Sequence, residues 1–343
     1  MMTLVVNFSH ILSKNKFYTS LLLVLYLIGM SSCKKEQIPI RITGEAQGTY
    51  YSIVYFDSQN RDLREEIDSL FKAFDMSASV YKKESVISKV NRNELVKIDS
   101  VFLAVFEKAM EVSVRTNGAF DITVMPLVNA WGFGYDSSGR ADSTLIDSLI
   151  QLVGFSKIRI QEDAIIKDDP RIMIDFNAIA QGFTCDVIGA YFQKHGISNY
   201  LIDVGGEVLA KGQKPDGKSW IVAVEKPADS SNSEREIQIA INLKDKALAT
   251  SGNYRAYFVK DGKRYSHTIN PSTGFPVNHS VLSVSVIADQ CMTADAFATA
   301  FMVMGLEKTI AFLKENKDLE AYVIYDDTGT YKVWQSDGFP QAE

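Results

Sequence analysis

Asp295 and Thr299 lie four residues apart in ADAFATA, so on a helix they share one face. Both offer hard oxygens, and Ala294, Ala296, Ala298 and Ala300 leave room around them. Mg²⁺ takes few protein oxygens and keeps positions for water and substrate phosphate. The same spacing also suits a buried Asp near a helix start with a Thr bonded to the helix backbone. Taken alone, that structural reading is the commoner one. His267 stands in HTINPSTGFP after a predicted strand, in a turn fixed by Pro271, Gly274 and Pro276. Imidazole titrates near neutrality, which makes His267 the best placed histidine for a general base. A satisfied histidine at a hairpin end is the alternative. DVGGE (Asp203–Glu207) and ATSG (Ala249–Gly252) read as tight turns at strand ends. Such turns can present backbone N–H groups to phosphate. The sequence has no GxGxxG, GxxxxGKS, Gly-x-Ser-x-Gly, HExxH or paired-Cys motif.

These residues need a scaffold. The stretch TNGAFDITVMPLVNAWGFG (Thr116–Gly134) has one carboxylate, Asp121, and no Lys, Arg or Glu. Its glycines suit backbone that turns sharply or approaches another group closely. It reads as a loop buried against something flat, either a ligand or only its own structural neighbours. Strand-like runs occur at Gly48–Phe56, Ile172–Ile174, Leu201–Val204, Val208–Leu209, Trp220–Glu225, Ile237–Ile241, Ala247–Thr250 and Val281–Ile287. Tyr254–Ile269 reads as a hairpin turning at Asp261-Gly262, and Ala321–Tyr325 with Thr330–Trp334 as another. Helical spacing covers Arg61–Phe74, Val101–Val114, Ser143–Val153, the segment after Gly182 up to His195, Ala294–Met304 and Glu307–Asn316. Strands and helices mix without regular βαβ alternation, which predicts an α+β fold of largely antiparallel sheet with flanking helices.

Composition narrows the function. The chain of 343 residues has a net charge of −6 and no basic run, a poor match for nucleic-acid binding. An acidic protein would also repel a phosphate substrate unless a cation intervened. Lys14 and Lys16, an apolar run from Leu21 to Ile28, then Ser31-Ser32-Cys33 read as a signal peptide over 1–32. The apolar run is short for a membrane span. Cys33 after two small residues resembles a bacterial lipobox, in which that Cys is lipidated and becomes the mature N-terminus. A plain secreted protein or an uncleaved anchor is the alternative. A polar tether over 33–42 follows, then one domain over 43–343. Cys185 and Cys291 lack metal or disulfide spacing and read as buried small residues.

Taken together, these stretches resemble one family in one order, the FAD:protein FMN transferases of the ApbE family. The resemblance runs from about Gln47 to Gly305 through QGT, SVYKKES, NGAFDITVMPLVNAWGFG, DFNAIAQGFTCD, DVGGE, ATSGNY, HTINPSTGFPV and ADAFATA. It implies FAD bound in a cleft with Mg²⁺ on its pyrophosphate. The FMN half would pass to a Thr or Ser hydroxyl of an acceptor protein, releasing AMP. It implies FAD contacts at Gln47, Tyr81, Ala119, Phe120, Asp121, Asp175, Gln181 and Ile269. It implies metal ligands at the Ala178 carbonyl, Asp295 and Thr299, and His267 as the base acting on the acceptor. Gln47 replaces a common Met, Gln181 a frequent Lys and Asn270 a common Asp. The implied place is the bacterial cell envelope, lipid-anchored through Cys33 and facing the periplasm. An exported or membrane electron-transfer protein would be the acceptor. The rivals are an Mg²⁺-dependent FAD pyrophosphatase and a flavin-binding lipoprotein without turnover.

Overall fold

The structure, a computed structural model, describes residues 38–134, 141–227, 236–253, 257–260 and 263–341. The signal peptide, Cys33 and the Asp261-Gly262 turn lie outside them. In chain order the strands are β1 (Ile40–Ala46), β2 (Thr49–Tyr55), β3 (Ile158–Gln161), β4 (Ala164–Lys167), β5 (Tyr200–Val204), β6 (Glu207–Lys211) and β7 (Trp220–Glu225). They continue as β8 (Ile237–Leu243), β9 (Lys246–Gly252), β10 (Tyr257–Lys260), β11 (Lys263–Ser266), β12 (Val281–Ala288), β13 (Glu320–Asp327) and β14 (Thr330–Gln335). The helices are α1 (Arg64–Ala78), α2 (Val86–Asn91), α3 (Ser100–Arg115), α4 (Met125–Trp131), α5 (Ser143–Leu149), α6 (Ala180–Lys194), α7 (Cys291–Met304) and α8 (Leu306–Glu315).

The framework is one antiparallel sheet in the order β1-β2-β5-β6-β9-β12-β13-β14. The pairs β3–β4, β7–β8 and β10–β11 form separate two-stranded ribbons. The α+β expectation therefore holds. Helices α6 and α7 pack on one face, α6 against β5 and β6, α7 against β9 and β12. The β7–β8 ribbon supplies Trp220, Val222, Val224, Ile241 and Leu243 to a core it shares with Val54, Val208, Leu248 and Ile324 of the sheet. A half-buried ribbon facing such a core alternates in and out, as β7 does. A helix wedged between sheet and other helices is apolar on all sides. This is why α7 is rich in alanine, with Ala294, Ala296, Ala298 and Ala300 all fully buried. Among the described residues no helix is long and apolar enough to cross a membrane.

Local chemistry explains where the sequence reading and the structure differ. The tether read over 33–42 overlaps β1, which starts at Ile40 and pairs along its length with β2. β1 is an edge strand whose exposed Arg41, Thr43 and Glu45 alternate with the more sheltered Ile40, Ile42, Gly44 and Ala46. Ile42 alone is fully buried, and Gly44 and Ala46 give the pattern little apolar weight. Ile172–Ile174 is not a strand. The Asn91 side chain takes both backbone groups of Ile174, accepting from its N–H at 2.7 Å and donating to its carbonyl at 2.8 Å. A neighbouring strand is then not needed. The segment 116–134 is no simple loop, since α4 forms inside it. Pro126 sits in its first turn and Gly132 ends it at a φ of 86°, the pairing that starts and stops short helices. The predicted second helix is α3, capped by Asp99, whose carboxylate accepts from Phe102 N–H at 2.8 Å.

Candidate active site

The β5–β6 turn, β9, the starts of α6 and α7, the segment 119–124 and the 267–271 loop enclose a cleft of about 860 Å³. Tyr81, Ala119, Phe120, Asp121, Asp175, Ala178, Gln181, His267, Ile269, Asp295 and Thr299 all line it. Residues as distant as 81 and 299 are thereby brought to one place. Gln47 is not in the lining. It sits at the β1–β2 turn, its amide donating to Thr184 Oγ1 at 2.7 Å and its Oε1 buried without a partner.

Helices α6 and α7 meet at backbone contact. A Cβ on Gly182 would stand 2.6 Å from the Cys291 carbonyl oxygen and 2.8 Å from Asp295 Cβ, so only glycine fits. That approach lets Gly182 N–H donate to Asp295 Oδ2 at 3.1 Å. Ser251 Oγ of β9 and Thr299 Oγ1 lie 3.2 Å apart. Asp295 is buried, and burial pushes its carboxyl up to about 7 against the Gly182 hydrogen bond. Glu207 in the same lining is raised by burial and then by the Asp295 charge. Neither forms an ion pair with a described cationic side chain. Asp295, Thr299 and Ala178 line the same cleft and offer a carboxylate, a hydroxyl and a backbone carbonyl, oxygen donors of the kind Mg²⁺ accepts with water completing its shell. The residues therefore fit a magnesium ion. Among the described residues no group of three or more His, Cys, Asp and Glu could hold a metal ion.

The carboxylates at the rim have other duties. Asp121 accepts from Thr123 N–H at 2.8 Å and Thr123 Oγ1 at 2.6 Å through one oxygen. Its other oxygen takes Phe155 N–H at 2.7 Å. It ties the 119–124 segment to the chain after α5, while burial raises its carboxyl above the usual range. Asp175 accepts from Asn177 N–H at 2.8 Å, and burial raises it too. Six carboxylates line the cleft (Asp121, Asp175, Asp203, Glu207, Glu225 and Asp295), and no described lining residue is Lys or Arg.

His267 faces the Phe133 ring edge-on, centroids 6.2 Å apart. Its loop is anchored from α4, where Trp131 Nε1–H donates to the Gly274 carbonyl at 2.8 Å. Asn270 Oδ1 accepts from Ser272 N–H at 2.9 Å, and Ile269 bridges to Pro276. Glu207 and Ser251 are the site residues that sequence reasoning passed over. Both stood in turns already singled out, but for their backbone N–H groups. Only the packing turns their side chains toward Asp295 and Thr299.

The ApbE family model matches residues 47–323. The FAD:protein FMN transferase of Vibrio cholerae is 37% identical over 324 residues, covering 91% of this chain and 95% of that protein. The Escherichia coli K12 protein of the same name is 32% identical, covering 87% of each. Among solved structures, Flavin Transferase ApbE from Vibrio cholerae superposes with a TM-score of 0.80 at 35% identity, covering 88% of this chain and 98% of that one. The apo form of Pseudomonas stutzeri flavinyl transferase ApbE also gives 0.80, at 29% identity. The fold and these relatives together define an enzyme of the transferase class. The chain belongs to the ApbE family.

Proposed function

We propose that this enzyme moves the FMN half of FAD to a Thr or Ser hydroxyl of an acceptor protein, with Mg²⁺, releasing AMP. One observation carries the reading: a cleft large enough for a dinucleotide is lined by six carboxylates and no described Lys or Arg. A pyrophosphate enters such a cleft only with a divalent cation to offset its charge. When bound, the cation neutralises charge on the phosphate oxygens and polarises the reacting phosphorus. Ala178, Asp295 and Thr299 would hold it. The Ile179 side chain does not cap α6 and Asp295 takes only Gly182 N–H, so the rest of the first turn favours an anion there. The acceptor oxygen forms a bond to the FMN phosphorus, the bond from that phosphorus to the AMP oxygen breaks, and the acceptor proton passes to His267. The 267–271 loop and the 119–124 segment orient the reactants, the larger share of catalysis in phosphoryl-type transfer.

Lipidation at Cys33 would hold the enzyme at the bacterial cell envelope, facing the periplasm, where exported redox proteins receive their flavin. The test is incubation with FAD, Mg²⁺ and a candidate acceptor, followed by in-gel fluorescence and the acceptor's mass. A flavinylated acceptor with stoichiometric AMP supports the reading. Free FMN with an unmodified acceptor would assign water as the acceptor instead. Flavin retained without AMP would leave only binding. A Cys33→Ala chain should keep transfer activity in solution and lose membrane association. Loss of activity would give Cys33 another role.

A further inference from the structure

The start of each helix at the cleft floor lacks a side-chain cap of its own. Neither Ile179 before α6 nor Gln290 before α7 provides one. Each helix is capped by the other. Asp295, in the second turn of α7, accepts from Gly182 N–H in the first turn of α6 at 3.1 Å. Asp186, in the second turn of α6, accepts from Cys291 N–H at 2.8 Å through Oδ1 and from Met292 N–H at 2.9 Å through Oδ2. Those are the first two N–H groups of α7, which no preceding carbonyl of the helix can reach. A carboxylate there also meets the positive end of the helix.

The exchange has a consequence for the cleft. One oxygen of Asp295 is committed to α6, so the direction of the other depends on where the first turn of α7 lies. Asp186 is what fixes that turn. We propose that Asp186 is a positioning residue for the cation site: by clamping the start of α7 to α6, it sets the oxygen of Asp295 that faces the cleft. Asp186 is not in the cleft lining. The inference rests on the cation reading given under Proposed function.

Groups that orient a metal ligand from behind change metal affinity by roughly 10–100-fold when replaced. The test is Mn²⁺ uptake by the full chain without FAD, followed by electron paramagnetic resonance, for wild type, Asp186→Ala and Asp186→Asn. FAD affinity is measured in parallel with chelator present. Asp186→Ala should bind Mn²⁺ at least ~10-fold more weakly with metal-free FAD affinity unchanged. Asp186→Asn keeps the shape and one good acceptor, so it should fall between the two, and it carries the test should the Ala variant fail to fold. Wild-type Mn²⁺ affinity in both variants would overturn the positioning role and leave the cation site standing. So would a parallel fall in metal-free FAD affinity, which would mean general distortion of the cleft. A wild-type chain that takes up no Mn²⁺ would remove the cation site and this proposal with it.

Discussion

At the residue scale, the cleft assigns different work to groups of similar type. Asp121 is saturated by three hydrogen bonds from protein donors, so its role is to hold backbone. Asp295 has a single such bond and retains capacity for a cation. Asp295→Ala should therefore abolish Mg²⁺-dependent turnover while the fold persists, a loss of several kcal/mol, or on the order of 10²-fold or more. Steady-state rates across a Mg²⁺ series check this, and normal turnover at low Mg²⁺ would end the metal assignment. His267 should act on the acceptor and not on FAD. A threonine hydroxyl is a weak nucleophile near neutrality, so His267→Ala should slow transfer by roughly 10²–10⁴-fold. FAD affinity and melting temperature should hardly change. A variant whose lost rate tracks lost FAD binding would make His267 a structural residue of its loop.

At the element scale, the contact between α6 and α7 governs the site. Their cores are continuous with the sheet, with Cys185, Ile188 and Cys291 fully buried beside β5 and β6. The two backbones meet at Gly182, where the nearest neighbour of an added Cβ is a carbonyl oxygen that cannot swing aside. Gly182→Ala should cost about 1–3 kcal/mol by overpacking. It should appear in urea unfolding as a lower midpoint with an unchanged slope. Because the helices must separate, Mg²⁺ dependence should shift to higher concentration as well. A Gly182→Ala chain of wild-type stability would show that the crossing relaxes freely and does not set the geometry.

At the scale of the whole molecule, one ion pair ties the entry of α1 to the end of α6. Arg61 Nε lies 2.7 Å from Asp57 Oδ2, and Arg61 also donates to the His195 carbonyl at 3.0 Å. The Arg61 hydrogen bonds, outweighing burial, hold Asp57 down to about 2 from 3.8. A carboxyl lowered on folding stabilises the folded state above its unfolded value, and that contribution is lost as pH falls through the folded one. Asp57→Asn should thus unfold at a lower temperature than wild type near neutrality. The gap should close as pH drops from 3.8 toward 2. Melting curves across that range check it, and a gap that does not change with pH would exclude the ion pair as its cause.

Local physics fixes what the sequence alone determined. Apolar runs marked β7 and β12, helical spacing marked α3, and the motif order pointed to the family and to Asp295, Thr299 and His267. The runs and the spacing, and each motif taken singly, are contained in short stretches of consecutive residues. The tertiary structure decided what depends on partners far along the chain. β1 alternates only weakly, through Gly44 and Ala46 on its sheltered side, and its pairing along its whole length with β2 is what makes it a strand. Ile172–Ile174 leaves the sheet because Asn91, some eighty positions earlier, satisfies its backbone. Gln47 turns to Thr184, although its place in the QGT motif gave no sign of it. The caps exchanged by Asp186 and Asp295 join residues more than one hundred positions apart. No local pattern announces a cap donated across a helix crossing, because the helix it completes is not its own.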